Sequence, residues 1–163
     1  MNWRIKPELR ALNPYNPWHI IALGFGSGLS PVAPGTAGSL AALPFCWLLA
    51  LLPLPWALLA VFCAFWIGVV ACQSVDDALG GHDHGAVVWD EFVGMFITTL
   101  GLPAHWGLLL AGFVCFRVFD VLKPWPIRWA DRRIPGGYGI MLDDVLAGLG
   151  AWMTLRGLLL LFA

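Results

Sequence analysis

The chain has 163 residues, of which 60% are hydrophobic and only 12% are Asp, Glu, Lys or Arg, against roughly 25% charged residues in ordinary soluble domains. This composition, with a formal net charge of -1 and a mean hydropathy of +0.78, excludes a water-exposed globule, a disordered chain and a basic nucleic-acid-binding protein. The charged residues are confined to a few segments between long uncharged runs, which is typical of a small multi-span membrane protein.

We therefore expect residues 1–163 to form one all-α domain, a polytopic helical bundle embedded in the membrane. Residues 1–37 are predicted to be an N-terminal segment that ends in a glycine-rich turn, and residues 38–163 the bundle. About five hydrophobic helices are predicted, at residues 38–52, 56–73, 87–102, 106–121 and 145–162. The third is short for a hydrocarbon core about 30 Å thick, so the alternatives for it are a tilted, partly inserted or re-entrant segment.

The basic residues predict which side of the membrane each connection occupies. Eight of the nine lie in residues 1–37, in the loops predicted at 74–90 and 121–144, or at an adjoining helix end, and only Arg156 lies elsewhere. The short connectors between the first and second helices and between the third and fourth are uncharged. By the positive-inside rule, the N-terminal segment and both large loops are predicted to be cytoplasmic.

Acidic residues accumulate at the same ends of the predicted helices: Asp83, Asp90, Glu91, Asp120, Asp143 and Asp144. Charges at membrane depth cost about 2.5–3.5 kcal/mol each on insertion scales, so such a cluster indicates a functional site. Asp83 and Asp90 are seven residues apart and would share a face of one helix. Asp143 and Asp144 are predicted where the last helix begins, and each taken singly has the alternative role of a helix cap. Carboxylates this close together would repel one another unless a cation or basic side chains neutralised them. Their hard oxygen atoms are ligands that suit Mg²⁺.

Two further features are typical of phosphate binding. Arg117 precedes Asp120 by three residues, and Pro124 is predicted to place Lys123 outside the helix. The segment GFGSGLSPVAPGTAGS precedes the first span, where the turn after Pro34 would leave N–H groups and hydroxyl groups free to bind an anion. The alternative is a glycine turn that only packs against other helices. The predicted phosphate-binding residues are Gly35, Thr36, Gly38, Ser39, Arg117 and Lys123.

The chain contains four long motifs: NPWHIIALGFGSGLSPVAPGTAGSLAALPF, HDHGAVVWDEFVGMFIT, FRVFDVLKPWPIRWADRR and GGYGIMLDDVLAG. In order and spacing they resemble the bacterial phosphatidylglycerophosphatase A family over about residues 16–150. The resemblance implies a multi-pass enzyme of the bacterial inner membrane, with its active site facing the cytoplasm. It implies hydrolysis of the terminal phosphate of phosphatidylglycerol phosphate, a lipid substrate, with Mg²⁺ as cofactor and no nucleic-acid partner. The oligomeric state is left open.

From these residues we expect Mg²⁺ to bridge to the phosphate and to lower the pKa of a bound water for in-line attack. The predicted metal ligands are Asp90, Glu91, Asp120, Asp143 and Asp144, and the predicted catalytic residues are Asp83, Asp90, Arg117 and Lys123. Asp83 would act as general base or would support a metal ligand. A covalent aspartyl-phosphate route is an alternative mechanism. An alternative of another class is a cation-coupled membrane transport protein, although its carboxylates would then line a path across the bilayer.

Overall fold

A computed structural model describes residues 7–80 and 84–162, and the regular structure of these residues is entirely helical. The predicted all-α class is therefore confirmed for this part of the chain. Two short 3₁₀ helices occur at Pro7–Ala11 and Gly24–Leu29. The α-helices are α1 Pro17–Ala22, α2 Pro34–Ala50, α3 Leu54–Leu79, α4 Trp89–Thr99, α5 Trp106–Leu122, α6 Ile127–Arg133 and α7 Gly136–Phe162.

Two helices are long and apolar enough to cross a membrane, Leu54–Leu79 and Gly136–Leu161. Each has 26 residues, which at 1.5 Å per residue gives about 39 Å, more than the hydrocarbon thickness of about 30 Å. In α3 only 17% of the apolar window is buried, and large side chains such as Trp56, Phe62 and Trp66 are exposed. A continuous apolar face of this size is unusual on a water-soluble monomer and suits contact with lipid.

The last helix begins well before its predicted start at residue 145. Helix α7 starts at Gly136, so Asp143 and Asp144 lie in its third turn. The prediction that they stand at the start of the helix is wrong, and so is the alternative that they cap it. The early start is stabilised by tertiary contacts, because the Gly137 N–H donates to Gln73 Oε1 of α3 at 2.8 Å. A Cβ on Gly137 would lie 2.6 Å from the Gln73 backbone nitrogen, so glycine allows the two helices to approach.

The predicted loops are also shorter than expected. Helix α3 continues to Leu79 and ends at Gly80, whose φ of 89° is left-handed, a common helix terminus for glycine. The connection predicted at 121–144 contains α6 and the first turns of α7. Residues 84–88 are not helical, so the prediction that Asp83 and Asp90 share a face of one helix is wrong. Asp83 itself lies outside the described residues.

Helices α4 and α7 pack closely because glycine lies on both sides of their contact. A Cβ on Gly148 would lie 2.6 Å from the Gly94 carbonyl oxygen, and a Cβ on Gly94 would lie 3.0 Å from the Asp144 carbonyl oxygen. Small residues allow membrane helices to approach in this way. Since Glu91 lies one turn before Gly94, the contact brings the first turn of α4 beside the carboxylates of α7.

Replacing Gly148 with alanine is expected to destabilise the fold by about 1–3 kcal/mol, because the added methyl group meets main-chain atoms that cannot rotate away. The measurement is the apparent thermal midpoint of the purified variant in detergent. Gly157→Ala in the same helix is the matched control, since a Cβ there meets nothing within 4 Å. Equal midpoints for the two variants would contradict the close packing of α4 on α7.

Candidate active site

Glu91 lies at the centre of the charged cluster, in the first turn of α4 and against the first turn of α2. Its Oε1 accepts a hydrogen bond from Arg117 Nη1 at 3.2 Å, whereas its Oε2 is buried and has no hydrogen-bond partner among residues 7–80 and 84–162. A Cβ on Gly38 would lie 2.5 Å from Oε2, and a Cβ on Gly35 would overlap Oε1. Glycine at both positions therefore makes room for the carboxylate. The positive end of the α2 dipole also favours it, because the first N–H groups of a helix have no partner within that helix.

The last residues of the predicted glycine-rich turn, Gly35 to Ser39, form the start of helix α2 and contact a carboxylate in this structure. The Ser39 side chain is fully buried; its hydroxyl donates to the Gly35 carbonyl at 2.9 Å and lies 3.4 Å from Arg117 Nη1. Thr36 is half-buried at the third position of α2. The structure thus brings Gly35, Gly38 and Ser39 together with two charged residues of the predicted site, and phosphate binding by this turn stays a prediction.

Arg117 joins three helices at the site. Its Nη1 lies 2.6 Å from Asp120 Oδ2, in the next turn of α5, 3.2 Å from Glu91 Oε1 of α4 and 3.4 Å from Ser39 Oγ of α2. The three-residue spacing of Arg117 and Asp120 in the sequence thus brings their side chains into contact. All three charged side chains are mostly shielded from solvent, with 11–19% of their side-chain surface exposed. Removal of the guanidinium would therefore leave two largely buried carboxylates without their cation.

Lys123 ends helix α5 in a left-handed conformation, with φ of 41°, and Pro124 follows it. The prediction that Lys123 leaves the helix is confirmed. A non-glycine residue adopts this conformation at a cost, and such strain is common at functional sites. Nζ lies 2.5 Å from Asp131 Oδ1 and 2.6 Å from Asp143 Oδ2. Burial lowers the pKa of Lys123, but the hydrogen bonds and charges of these two carboxylates outweigh it and hold that pKa above its ordinary value.

Asp131 was not among the residues predicted from the sequence to form the site. It lies on α6, eight residues after Lys123 and across Pro124 and Pro126, so no helical periodicity connects it to its partner. The only signal in the sequence is its charge within a basic segment. The structure adds it to the site because α6 folds back beside α7.

Asp144 is buried on α7 and completes the cluster. Four carboxylates lie close enough to interact with it electrostatically: Asp90, Glu91, Asp120 and Asp143. The Asp144 N–H donates to Asp143 Oδ1 at 3.0 Å, and the Glu91 N–H donates to Asp90 Oδ1 at the same distance. Among the described residues, the cluster thus contains six carboxylates, Asp131 included, and the two cations Arg117 and Lys123. The site therefore carries an excess of acidic groups.

The cluster has the donor chemistry of a hard-cation site. Carboxylate oxygens are the ligands that Mg²⁺ prefers, and the buried Oε2 of Glu91 accepts no hydrogen bond from the part of the chain that the structure describes. Within residues 7–80 and 84–162, however, no three His, Cys, Asp or Glu side chains are already spaced to hold one metal ion. In this arrangement Arg117 and Lys123 take the closest positions to the carboxylates instead. The residue types fit a divalent cation, and the side chains would have to reorient around it.

Comparison with known proteins identifies the family. The family model of phosphatidylglycerophosphatase A matches residues 20–159, a range that contains every charged residue of the cluster. The chain belongs to the phosphatidylglycerophosphatase A family. The resemblance found in the four sequence motifs is thereby confirmed.

Two relatives within the phosphatidylglycerophosphatase A family cover most of the chain. Phosphatidylglycerophosphatase A of Escherichia coli (strain K12) is 55% identical over 135 residues, which is 82% of this chain and 78% of the relative. Phosphatidylglycerophosphatase A of Haemophilus influenzae (strain Rd) is 47% identical over 145 residues, which is 88% of this chain and 89% of the relative. No solved structure matches the chain.

Proposed function

We propose that this chain hydrolyses the terminal phosphomonoester of phosphatidylglycerol phosphate to phosphatidylglycerol and inorganic phosphate. The observation that carries the proposal is the match to the phosphatidylglycerophosphatase A family over residues 20–159, which includes the whole carboxylate and cation cluster. Such a cluster suits phosphate chemistry, because it combines anion-binding cations with ligands for a metal ion.

The proposed setting is the bacterial inner membrane, with the hydrophobic helices α2, α3, α4, α5 and α7 as a multi-pass bundle. The apolar length of α3 and α7 supports it. Helices α4 and α5 are joined by a short turn at residues 100–105, so the start of α4 and the end of α5 lie at one end of the bundle, where the cluster is. The basic residues of α6 lie next to that end, which favours a cytoplasmic active site by the positive-inside rule.

Mg²⁺ is the proposed cofactor, held by some of Asp90, Glu91, Asp120, Asp143 and Asp144. The acidic excess supports a divalent cation here, as does the buried Oε2 of Glu91, which has no partner among the described residues. When bound, Mg²⁺ supplies a Lewis acid for the phosphoryl group and for the attacking water.

The side chains of the chain itself would bind and orient the phosphate. Arg117 and Lys123 are the two cations of the cluster, and each would exchange one carboxylate partner for a phosphoryl oxygen, which neutralises charge in the transition state. Asp83 is proposed to accept the proton of the attacking water, with Asp90 in the first turn of α4 as the alternative acceptor when it does not hold the metal ion. An aspartyl-phosphate route would instead use one of the carboxylates as nucleophile.

The test is a turnover assay with purified protein in nonionic detergent, with Mg²⁺ present and phosphatidylglycerol phosphate as substrate. We expect equal amounts of inorganic phosphate and phosphatidylglycerol. Soluble glycerol 3-phosphate should be a poor substrate, because it lacks the remote binding energy of the lipid. Failure to release phosphate from the lipid, in protein that is folded and monodisperse, would contradict the proposed function.

A further inference from the structure

An open, positively charged cavity of about 480 Å³ adjoins the active site. Four cations and two indole rings line it: Lys123, Arg128, Arg132, Arg133, Trp125 and Trp129. The three arginines are exposed, and no Asp or Glu of the described residues lines the cavity. A cavity with these side chains is suited to an anionic ligand.

Helix α6 positions the arginines. Arg128 and Arg132 are four residues apart and therefore lie one above the other on the same face, and Arg133 follows in the last turn. The Arg128 guanidinium lies 3.4 Å from the Leu122 carbonyl, which fixes it near the end of α5. Arginine presents several N–H groups in a planar fork, the geometry that matches phosphate oxygens.

Lys123 connects this cavity to the active site. It lines the cavity, and its Nζ is 2.6 Å from Asp143 of the carboxylate cluster. The two carboxylates that pair with Lys123, Asp131 and Asp143, line a second, smaller cavity of about 200 Å³ together with Asp76, and this cavity would repel an anion. An anionic group next to the active site is therefore better accommodated in the larger cavity, which is lined by the arginines of α6 and is called the α6 cavity below.

The proposed substrate carries two phosphates, a terminal phosphomonoester and an internal phosphodiester, separated by one glycerol unit. When the monoester occupies the carboxylate cluster, the diester lies one glycerol away, toward the acyl chains. Trp125 is 84% and Trp129 52% exposed, as expected of indole rings at a membrane interface. Indole rings at its edge suit a cavity that lies at the depth of the lipid headgroup.

We infer that the α6 cavity is the subsite for the internal phosphodiester of the substrate. The inference rests on the proposed function. It means that the enzyme selects lipids whose terminal phosphomonoester is joined through a short linker to a second, esterified phosphate. Phosphatidylglycerol, which keeps the diester after hydrolysis, would bind the same subsite and inhibit as a product.

The test compares wild-type protein with the triple variant R128Q/R132Q/R133Q in nonionic micelles at fixed mole fractions of lipid. The readouts are KM for phosphatidylglycerol phosphate and the inhibition constants of phosphatidylglycerol and inorganic phosphate. We expect KM and the phosphatidylglycerol inhibition constant to rise about tenfold or more, the effect of losing a charge-assisted hydrogen bond. The inhibition constant of inorganic phosphate and kcat should change by less than about threefold, since the monoester site is intact.

Arg10→Gln is the matched control, because Arg10 is exposed and lies outside the cavity. Should the triple variant fail to fold, the single variant R132Q carries the same comparison. Unchanged KM and unchanged phosphatidylglycerol inhibition in an active protein would overturn the inference alone. Phosphatidylserine tests the selectivity of the cavity. If it inhibits the wild-type protein as strongly as phosphatidylglycerol does, and the triple variant relieves both inhibitions equally, α6 is a general surface for anionic lipids and the inference is overturned. A wild-type protein that releases no phosphate would overturn the proposed function and the inference with it.

Discussion

Replacing Glu91 with glutamine is expected to lower kcat for phosphatidylglycerol phosphate about hundredfold or more, equivalent to about 2.7 kcal/mol of transition-state stabilisation. The amide is nearly isosteric with the carboxylate but carries no charge. Within the described ranges, Glu91 Oε2 is the buried side-chain oxygen without a hydrogen-bond partner, so the substitution removes the ligand that is most available to a cation. Excess Mg²⁺ should restore part of the activity, and the measurement is kcat as a function of Mg²⁺ concentration.

Asp77→Asn is the matched control for this variant. Asp77 is exposed at the end of α3 and accepts a hydrogen bond from Gln73 at 2.7 Å, outside the cluster. Asp77→Asn removes one negative charge, as Glu91→Gln does, and we expect near-normal turnover from the Asp77→Asn protein. If Glu91→Gln retains near-normal kcat and an unchanged Mg²⁺ curve, Glu91 is a structural partner of Arg117 and the proposed metal site is wrong.

Replacing Arg117 with alanine is expected to reduce both stability and activity. The free energy of unfolding should fall by about 3 kcal/mol or more, because Glu91 and Asp120 would be left as largely buried carboxylates without their cation. kcat/KM should fall about hundredfold or more, since a cation that neutralises the phosphoryl oxygens is also lost. The measurements are the apparent thermal midpoint and the steady-state kinetics with the lipid substrate.

Arg117→Lys separates charge from geometry at this position. Lysine keeps the positive charge but presents no planar fork, so it cannot reproduce the contacts that Arg117 makes to three helices. We expect it to recover stability more fully than activity. Arg10→Ala controls for the loss of an exposed arginine. A stable and fully active Arg117→Ala protein would show that the contacts to Glu91 and Asp120 have no role in the fold or in the reaction.

Local features of the site could be predicted from the sequence because their cause is local. The three-residue spacing of Arg117 and Asp120 places both side chains on one helix face, and the structure pairs them at 2.6 Å. Pro124 disfavours helical geometry at the residue before it, and Lys123 indeed leaves the helix. These relations involve neighbours in the chain and need no knowledge of the tertiary fold.

The contacts that assemble the site could not be predicted, because they join distant segments. Nothing in the glycine-rich turn indicates that Gly35 and Gly38 would contact Glu91, which lies on another helix. The predicted start of the last helix, at residue 145, differs from the observed start at Gly136 for a related reason. Glycine costs about 1 kcal/mol per residue in a helix, so the segment GGYG favours a loop, yet packing of Gly137 against Gln73 of α3 stabilises a helical start.

The most direct test of the proposed metal-dependent phosphatase is the Mg²⁺ dependence of phosphatidylglycerol formation by the wild-type protein. The purified protein is treated with EDTA, assayed with phosphatidylglycerol phosphate, and then titrated with Mg²⁺. We expect no turnover in EDTA and restoration of phosphate release and phosphatidylglycerol formation as Mg²⁺ is added, because the carboxylate cluster supplies hard oxygen ligands for the ion. Full turnover in EDTA would contradict a Mg²⁺ site in the cluster of Asp90, Glu91, Asp120, Asp143 and Asp144.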